Sequence, residues 1–176
     1  MSIGAEPAPM IVRAATPDDL PRLLAEEARA RAGGFILGDD EPTHRAMLAD
    51  PDIEYRVYLA PQGGWLGNVI LRIAPAPLRV IELRRIVVAQ PGRGTGTAIM
   101  VDVMRHAFAT LGAHRLWLDS LGDNLRAHAV YRRLGFTQEG RLRDEVLVRG
   151  AYRDVLVFGM LEDEWRRLAD AKEPRR

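Results

Sequence analysis

Residues Ile86 to Met100 read Ile-Val-Val-Ala-Gln-Pro-Gly-Arg-Gly-Thr-Gly-Thr-Ala-Ile-Met, an apolar strand running through alternating glycines into a helix. This segment constrains the chain more than any other. Gly92, Gly94 and Gly96 let the backbone turn with its N–H groups facing one point, and the helix N-terminus that follows adds partial positive charge there. Arg93 and the hydroxyls of Thr95 and Thr97 sit in the same turn, which therefore has the makings of a pyrophosphate cradle. Two common phosphate loops do not fit it. A Walker-type loop needs Lys and then Ser or Thr after its last glycine, where Thr97 and Ala98 stand. A dinucleotide fingerprint needs glycine at 97 or 99, where Thr97 and Ile99 stand. Taken alone, the glycines would serve equally well as a tight strand–helix connection.

The elements around the turn fall into an order. A first strand is expected over Met10 to Ala15. Thr16-Pro17-Asp18-Asp19 then opens a helix with a cap, a proline at its first position and acids in its first turn. Leu20, Leu23, Leu24 and Ala28 form its apolar stripe, and Gly33 and Gly34 end it. The loop Phe35 to Glu41 carries Asp39, Asp40 and Glu41, and a short helix is expected over Thr43 to Ala49. Strands Tyr55 to Ala60 and Trp65 to Ile73 flank the hairpin signal Pro61-Gln62-Gly63-Gly64, and Val80 to Val88 follows. After the glycine turn a helix runs to about Leu111, burying Met100, Met104, Ala107, Phe108 and Leu111. Arg115 to Ser120 is a strand, Asn124 to Leu134 a helix stopped by Gly135, and Thr137 to Val148 with Ala151 to Met160 a hairpin about Arg149-Gly150. Glu162 to Ala171 is expected as a last helix. The order is β-α-α-β-β-β-α-β-α-β-β: a single-domain, mixed α/β fold over 10–171 with a mostly antiparallel sheet, flexible ends at 1–9 and 172–176, and no internal repeat. The glycine turn lies at the carboxyl end of its strand, where open α/β sheets place ligands.

Composition narrows the chemistry. At 176 residues the chain can bury a sizeable core, and 47% apolar with 28% charged residues is ordinary for a globular protein. A net charge of +1 offers no reason to expect nucleic acid as a partner. Lys172 is the single lysine, an arginine bias that reads as the codon usage of a GC-rich genome. Cysteine is absent, which removes disulfides, thiolate metal sites and a cysteine acyl-enzyme and suits a cytoplasmic location. The start lacks a secretory pattern, and no apolar stretch approaches membrane-spanning length. His44, His106, His114 and His128 show no close ligand pair, so no metal is expected.

Asn124-Leu-Arg-Ala-His-Ala-Val-Tyr-Arg-Arg-Leu-Gly-Phe136 adds a second constellation. With the glycine turn, it resembles the GNAT superfamily of acetyl-CoA-dependent N-acyltransferases, whose pattern here is Asn124, Ala127, Tyr131, Gly135 and Phe136. The resemblance covers roughly Val80 to Met160. The stretch Gly135 to Arg143, followed by Gly150 and Tyr152-Arg153-Asp154, is similar to the branch containing ribosomal-protein N-terminal acetyltransferases and many enzymes acting on small amines. In one respect the chain departs from the family. Three residues before Gly94, where the family usually has Gln or Arg, stands Pro91, which removes an N–H donor. The pyrophosphate contacts are then expected from Arg93 and the N–H groups of Gly94, Thr95, Gly96 and Thr97.

The resemblance implies direct transfer of an acetyl group from acetyl-CoA to an amine: a small amine, amino acid, antibiotic or protein N-terminus. Such a reaction needs a neutral amine, donors for a tetrahedral oxyanion and a proton for the departing thiolate. Tyr131 is the expected proton donor, although its register with Ala127, Val130 and Leu134 would also suit a core tyrosine. Glu82, on a strand face expected to include Arg84, Ile86 and Val88, is the first candidate base, and Asp119 the second. An ion pair between Glu82 and an arginine is an equally good reading of that carboxylate. The backbone of Ile86, Val87 and Val88 should pair with the pantetheine amides, and an N–H there, at Val88, should also serve the oxyanion. Asn124 and Ala127 are expected near the pantetheine arm, Asn124 with a helix-capping role as well. Arg133, with Arg126, is expected near the adenosine 3′-phosphate. Asp39-Asp40-Glu41 reads first as a solvated loop and second as an attractor of a cationic acceptor. A homodimer is compatible with the sequence. The competing reading is a non-catalytic CoA-binding or interaction module on the same fold.

Overall fold

The computed structural model describes residues 9–34 and 36–171. Phe35 and the segments 1–8 and 172–176, including nearly all of the expected flexible ends, lie outside the described residues. The expected element order holds: β1 Ile11–Ala14, α1 Leu20–Ala32, α2 Glu41–Ala49, β2 Ile53–Leu59, β3 Trp65–Ile73, β4 Val80–Val88, α3 Thr95–Arg105, β5 Arg115–Leu121, α4 Leu125–Arg133, β6 Thr137–Val148, β7 Ala151–Leu161 and α5 Glu162–Asp170. A short 3₁₀ turn, Pro17–Asp19, precedes α1. The helix expected to reach Leu111 changes character at His106, where it becomes one π-helical turn closed by Leu111 N–H on the His106 carbonyl.

The strands form one seven-stranded sheet in the order β1-β2-β3-β4-β5-β7-β6. Every pairing is antiparallel except β4 with β5, which α3 connects as a crossover. Helices cover both faces. Against one face, Ile99, Met100, Val103 and Met104 of α3, together with Tyr131 of α4, meet Val69, Leu71, Ile81, Leu83, Leu116 and Leu118. Against the other, Leu23 of α1 and Met47 of α2 meet Tyr55, Val57 and Ile70. The buried face of α1 departs from the apolar stripe read in the sequence. Ala28 is exposed, whereas Glu26 and Glu27 are each 3% exposed. Glu27 can be buried because cationic and hydrogen-bonding partners meet it from two other elements, as described below.

Two details of β4 position everything that follows. Ile70 pairs with Arg85 but Leu71 pairs with Leu83, so Arg84 is an extra residue, a β-bulge. The bulge reverses side-chain alternation: Ile81 and Leu83, then Ile86 and Val88, pack on the α3 face. The expectation that Glu82 shares a face with Ile86 and Val88 therefore fails, since strict alternation does not survive an inserted residue. Gly67, opposite Val88, makes the close approach possible on the β3 side, because a Cβ there would lie 2.3 Å from the Val87 carbonyl oxygen and 3.0 Å from Ile99 Cδ1.

Candidate active site

Parallel pairing of β4 and β5 covers Val80–Leu83 against Arg115–Leu118 and then stops. β4 continues to Val88 and β5 to Leu121, so the strands diverge and leave one edge of β4 unpaired over Arg84–Val88. A cavity of about 270 Å³ opens along this divergence. Its walls include Arg84 and Ile86 of β4, Asp119 and Ser120 of β5, Asn124 and Tyr131, Ile36 and Leu37 of the loop before α2, and Leu142, Glu145 and Val146 of β6. Ala89 N–H donates to the Leu66 carbonyl at 2.9 Å, on the β3 side. Alternation along an extended backbone then turns the preceding N–H, that of Val88, toward the unpaired edge. Val87 itself is buried, and its carbonyl faces Gly67.

The glycine turn caps the open end of this edge. Gly94 is the N-cap of α3 in the left-handed region, φ 80°, and the first helical bond is Ala98 N–H to the Gly94 carbonyl at 3.0 Å. The N–H groups of Thr95, Gly96 and Thr97 thus have no intrahelical acceptor and point out of the helix end. Gly96 packs its α-carbon toward Val88, since a Cβ there would sit 3.4 Å from Val88 Cγ2. Arg133 donates to Thr97 Oγ1 at 2.9 Å, and Arg126 lies over Gly92, 3.6 Å from where a Cβ would be. Arg126 and Arg133, both on α4, therefore border the turn that carries Arg93.

Helix α4 supplies the other candidate groups. Asn124 is its N-cap, accepting from Ala127 N–H at 3.3 Å while lining the cavity, so the two roles read for it are compatible. Tyr131 is 6% exposed, and its ring is held against Phe158 and Phe136 at centroid distances of 5.4 and 6.1 Å. Phe136 of the sequence pattern thus buttresses Tyr131. Burial pushes the Tyr131 phenol up to about 12, and the Asp119 charge adds to the shift. No hydrogen bond engages its hydroxyl among the described residues.

The two candidate bases separate. Asp119 lines the cavity. Its side chain is open to solvent on the cavity side; partial desolvation by the protein around the carboxyl raises its pKa, Arg84 opposes the rise, and Glu145 contributes to it. Glu82 lines a neighbouring cavity with Arg72 and Trp117, and its carboxylate stands 3.7 Å from the Arg72 guanidinium. Its pKa is also raised, by burial first, with Arg72 opposing and Asp119 adding.

The acidic loop has its charges engaged. Asp39 binds Arg85 at 2.5 Å and Arg84 at 3.1 Å. Asp40 caps α2 by accepting from Thr43 N–H at 3.0 Å, and Glu41 pairs with Arg45 at 2.6 Å. The loop is therefore a structural anchor and not a free anionic attractor. Behind it lies a buried cluster that pattern reading missed. Glu27 binds Arg85 at 2.5 Å, the His44 Nε2 at 2.8 Å and the Asp39 N–H at 2.9 Å, and Tyr55 Oη meets His44 Nδ1 at 3.1 Å. Burial would raise the Glu27 carboxyl, but His44, the Asp39 N–H and Arg85 together bring it below the usual range. Among the described residues, no cluster of His, Asp and Glu has metal-holding geometry.

A mostly antiparallel sheet opened between one parallel strand pair, with a glycine-rich helix N-terminus at the opening, defines an acyltransferase-like architecture. The chain belongs to the acetyltransferase (GNAT) family, whose model matches residues 20–136. It is 32% identical over 74 residues to a putative ribosomal N-acetyltransferase of Bacillus subtilis, covering 42% of this chain and 40% of that one. It is 31% identical over 83 residues to a spermidine N(1)-acetyltransferase of Escherichia coli, covering 47% and 44%. The matched segments thus span less than half the length of these relatives. Among solved structures, the spermidine N-acetyltransferase of Vibrio cholerae in complex with CoA and spermine superposes with a TM-score of 0.80 at 21% identity, covering 89% of this chain and 98% of that one. That likeness establishes the fold.

Proposed function

We propose that this protein is an acetyl-CoA-dependent N-acetyltransferase acting on a primary amine by direct attack, its catalytic domain spanning residues 10–171. The observation that carries the reading is the unpaired β4 edge over Arg84–Val88, set between a helix N-terminus bordered by arginines and the buried Tyr131. Pantetheine would complete that edge as an added strand, using the backbone of Ile86, Val87 and Val88. The pyrophosphate would rest on Arg93 and the N–H groups from Gly94 to Thr97, and the 3′-phosphate near Arg133 and Arg126. Acetyl-CoA supplies the activated acyl group.

In the proposed sequence the amine nitrogen attacks the thioester carbonyl carbon, and the electron pair of the C=O moves to oxygen. The Val88 N–H, turned to the unpaired edge, donates to that oxyanion. Asp119, directly or through water, takes the proton the nitrogen must shed, in preference to Glu82, whose carboxylate lies toward Arg72. Collapse breaks the C–S bond, and the Tyr131 hydroxyl gives its proton to the thiolate.

The acceptors named for the relatives, spermidine and the alanine of ribosomal protein uS5, span small polyamines and protein N-termini. A Vibrio cholerae neighbour with TM-score 0.78 is a dodecamer, so assembly of this chain into a homo-oligomer is part of the proposal. A cytoplasmic location is proposed as well; no described helix is long and apolar enough to cross a membrane. Thiol release from acetyl-CoA against amines, amino acids and peptides tests the activity. CoA binding by calorimetry without transfer to any amine would favour the non-catalytic module instead.

A further inference from the structure

Ion pairs use most of the acidic side chains near the cleft, and two are left over. Arg84 and Arg85 contribute two positive charges to its wall, and Asp39 and Glu27 neutralise them. Asp119 and Glu145 also line the cleft, both open to solvent and neither in an ion pair among the described residues, although the Arg84 charge reaches Asp119. They come from different elements. Asp119 is at the diverging end of β5. Glu145 is carried into the cleft by an irregularity of β6, where Leu142 pairs with Val155 but Val146 pairs with Arg153, so residues 143–145 bulge. Asp144 adopts φ 51° in that bulge, and its N–H is held by the Asp154 carboxylate at 3.0 Å. The two charges are close enough for Glu145 to raise the Asp119 pKa. Among the described residues two further groups in the same cleft lack partners: the hydroxyl of Tyr131, a residue 6% exposed, and the buried Arg84 Nε.

The crevice is therefore electrically two-sided. Arginines border the helix N-terminus at one end, suited to an anionic donor, and a net charge of two carboxylates lies on the acceptor side. Resting on the transferase reading above, we infer that Glu145, with Asp119, selects an acceptor carrying a second positive charge in addition to the amine that reacts. The bulge sets Glu145, open to solvent, on the β6 wall of the cleft, where it would hold the distal ammonium while the proximal nitrogen reaches the thioester. Apolar Leu37, Leu142 and Val146 would contact the methylenes between the charges.

The test compares α,ω-diamines from diaminobutane to diaminooctane with n-alkylamines of the same length. Two readouts are taken: kcat/KM with acetyl-CoA, and calorimetric affinity for the CoA-saturated protein. The diamine should be favoured about tenfold at its best length in both readouts, and Glu145→Gln should bring the ratio to within about twofold of one. Asp163→Asn, a charge change on the exposed start of α5, should leave the ratio as in the wild type. A ratio near one in the wild type overturns the inference, as does equal loss for both substrates in Glu145→Gln or an equal effect of Asp163→Asn. A binding ratio that stands while no amine is acetylated retains this inference and overturns the transferase reading alone.

Discussion

Leu83 and Leu118 are the last residues to pair β4 with β5, and the cleft begins where their pairing ends. Below them the strands form an ordinary parallel ladder. Above them the bulge at Arg84 redirects β4, while β5 stays paired with β7 through Leu121. A backbone edge is thus left free without a break in the sheet. The rest of the site is arranged about that edge.

Tyr131→Phe should lower kcat by about one hundredfold while leaving the CoA dissociation constant within about twofold. Because burial pushes the phenol up to about 12, Tyr131, the proposed proton donor, stays protonated throughout the neutral and mildly alkaline range, and no loss of rate from its ionisation is expected below pH ~10. Stopped or continuous thiol assays with parallel calorimetry measure both quantities. Equal losses in turnover and binding would remove Tyr131 from the acid role.

The raised pKa of Asp119 predicts an acidic limb in kcat/KM that lies above the ordinary aspartate range, with rate rising as pH rises and the carboxylate forms. Glu145→Gln removes a neighbouring negative charge and should move that limb to lower pH, whereas Asp119→Asn should abolish it. A limb untouched by either substitution would place the base elsewhere, with Glu82 the next residue to test.

Arg133→Ala should weaken CoA binding about tenfold, with a smaller effect at saturating acetyl-CoA on kcat, because its guanidinium stands at Thr97 beside the free N–H groups of α3. The effect should shrink for dephospho-CoA if Arg133 meets the 3′-phosphate. Equal loss for both nucleotides would assign it to the pyrophosphate or to the turn itself.

Gly67→Ala should destabilise the fold by about 2–4 kcal/mol, since the added Cβ would overlap a backbone oxygen that cannot move without separating β3 from β4. Urea denaturation followed by circular dichroism checks this. CoA affinity should fall with it, because Val87 and Val88 form the edge that the donor would use.

Asp19 links β1 to α1 by accepting from both Arg13 guanidinium nitrogens, at 2.7 and 2.8 Å, and from Thr16 N–H at 2.8 Å. The Arg13 hydrogen bonds hold its carboxyl at about 2, below its unfolded value of about 3.9. A depressed carboxyl contributes stability that is fully present above the unfolded value and lost as pH falls through the folded one. Asp19→Asn should therefore cost about 1 kcal/mol at neutral pH, and the gap from wild type should close between pH ~4 and ~2. A difference that persists at pH 2 would assign the loss to packing instead.

Local signals carried much of this protein into its sequence. Alternating glycines with an apolar strand before them and a helical pattern after them leave little freedom, and the turn, its strand and its helix start where the sequence places them. Asn124 was legible as a helix cap from its position, whereas Tyr131, whose register equally suits a core tyrosine, became a candidate only through the family resemblance. Such features depend on neighbours a few residues apart. What the sequence did not disclose depends on insertion and on partners far along the chain. The bulge at Arg84 shifts Glu82 off the face of Ile86 and Val88 because period-two alternation has no memory of an extra residue. Glu27 is buried only because Arg85, His44 and Asp39 converge on it, and Glu145 enters the cleft only through the irregular ladder of β6. Periodicity, capping and the glycine turn thus determined which elements exist and where α3 begins. Strand register, set by side-chain packing across the sheet, decided which carboxylates face the opening.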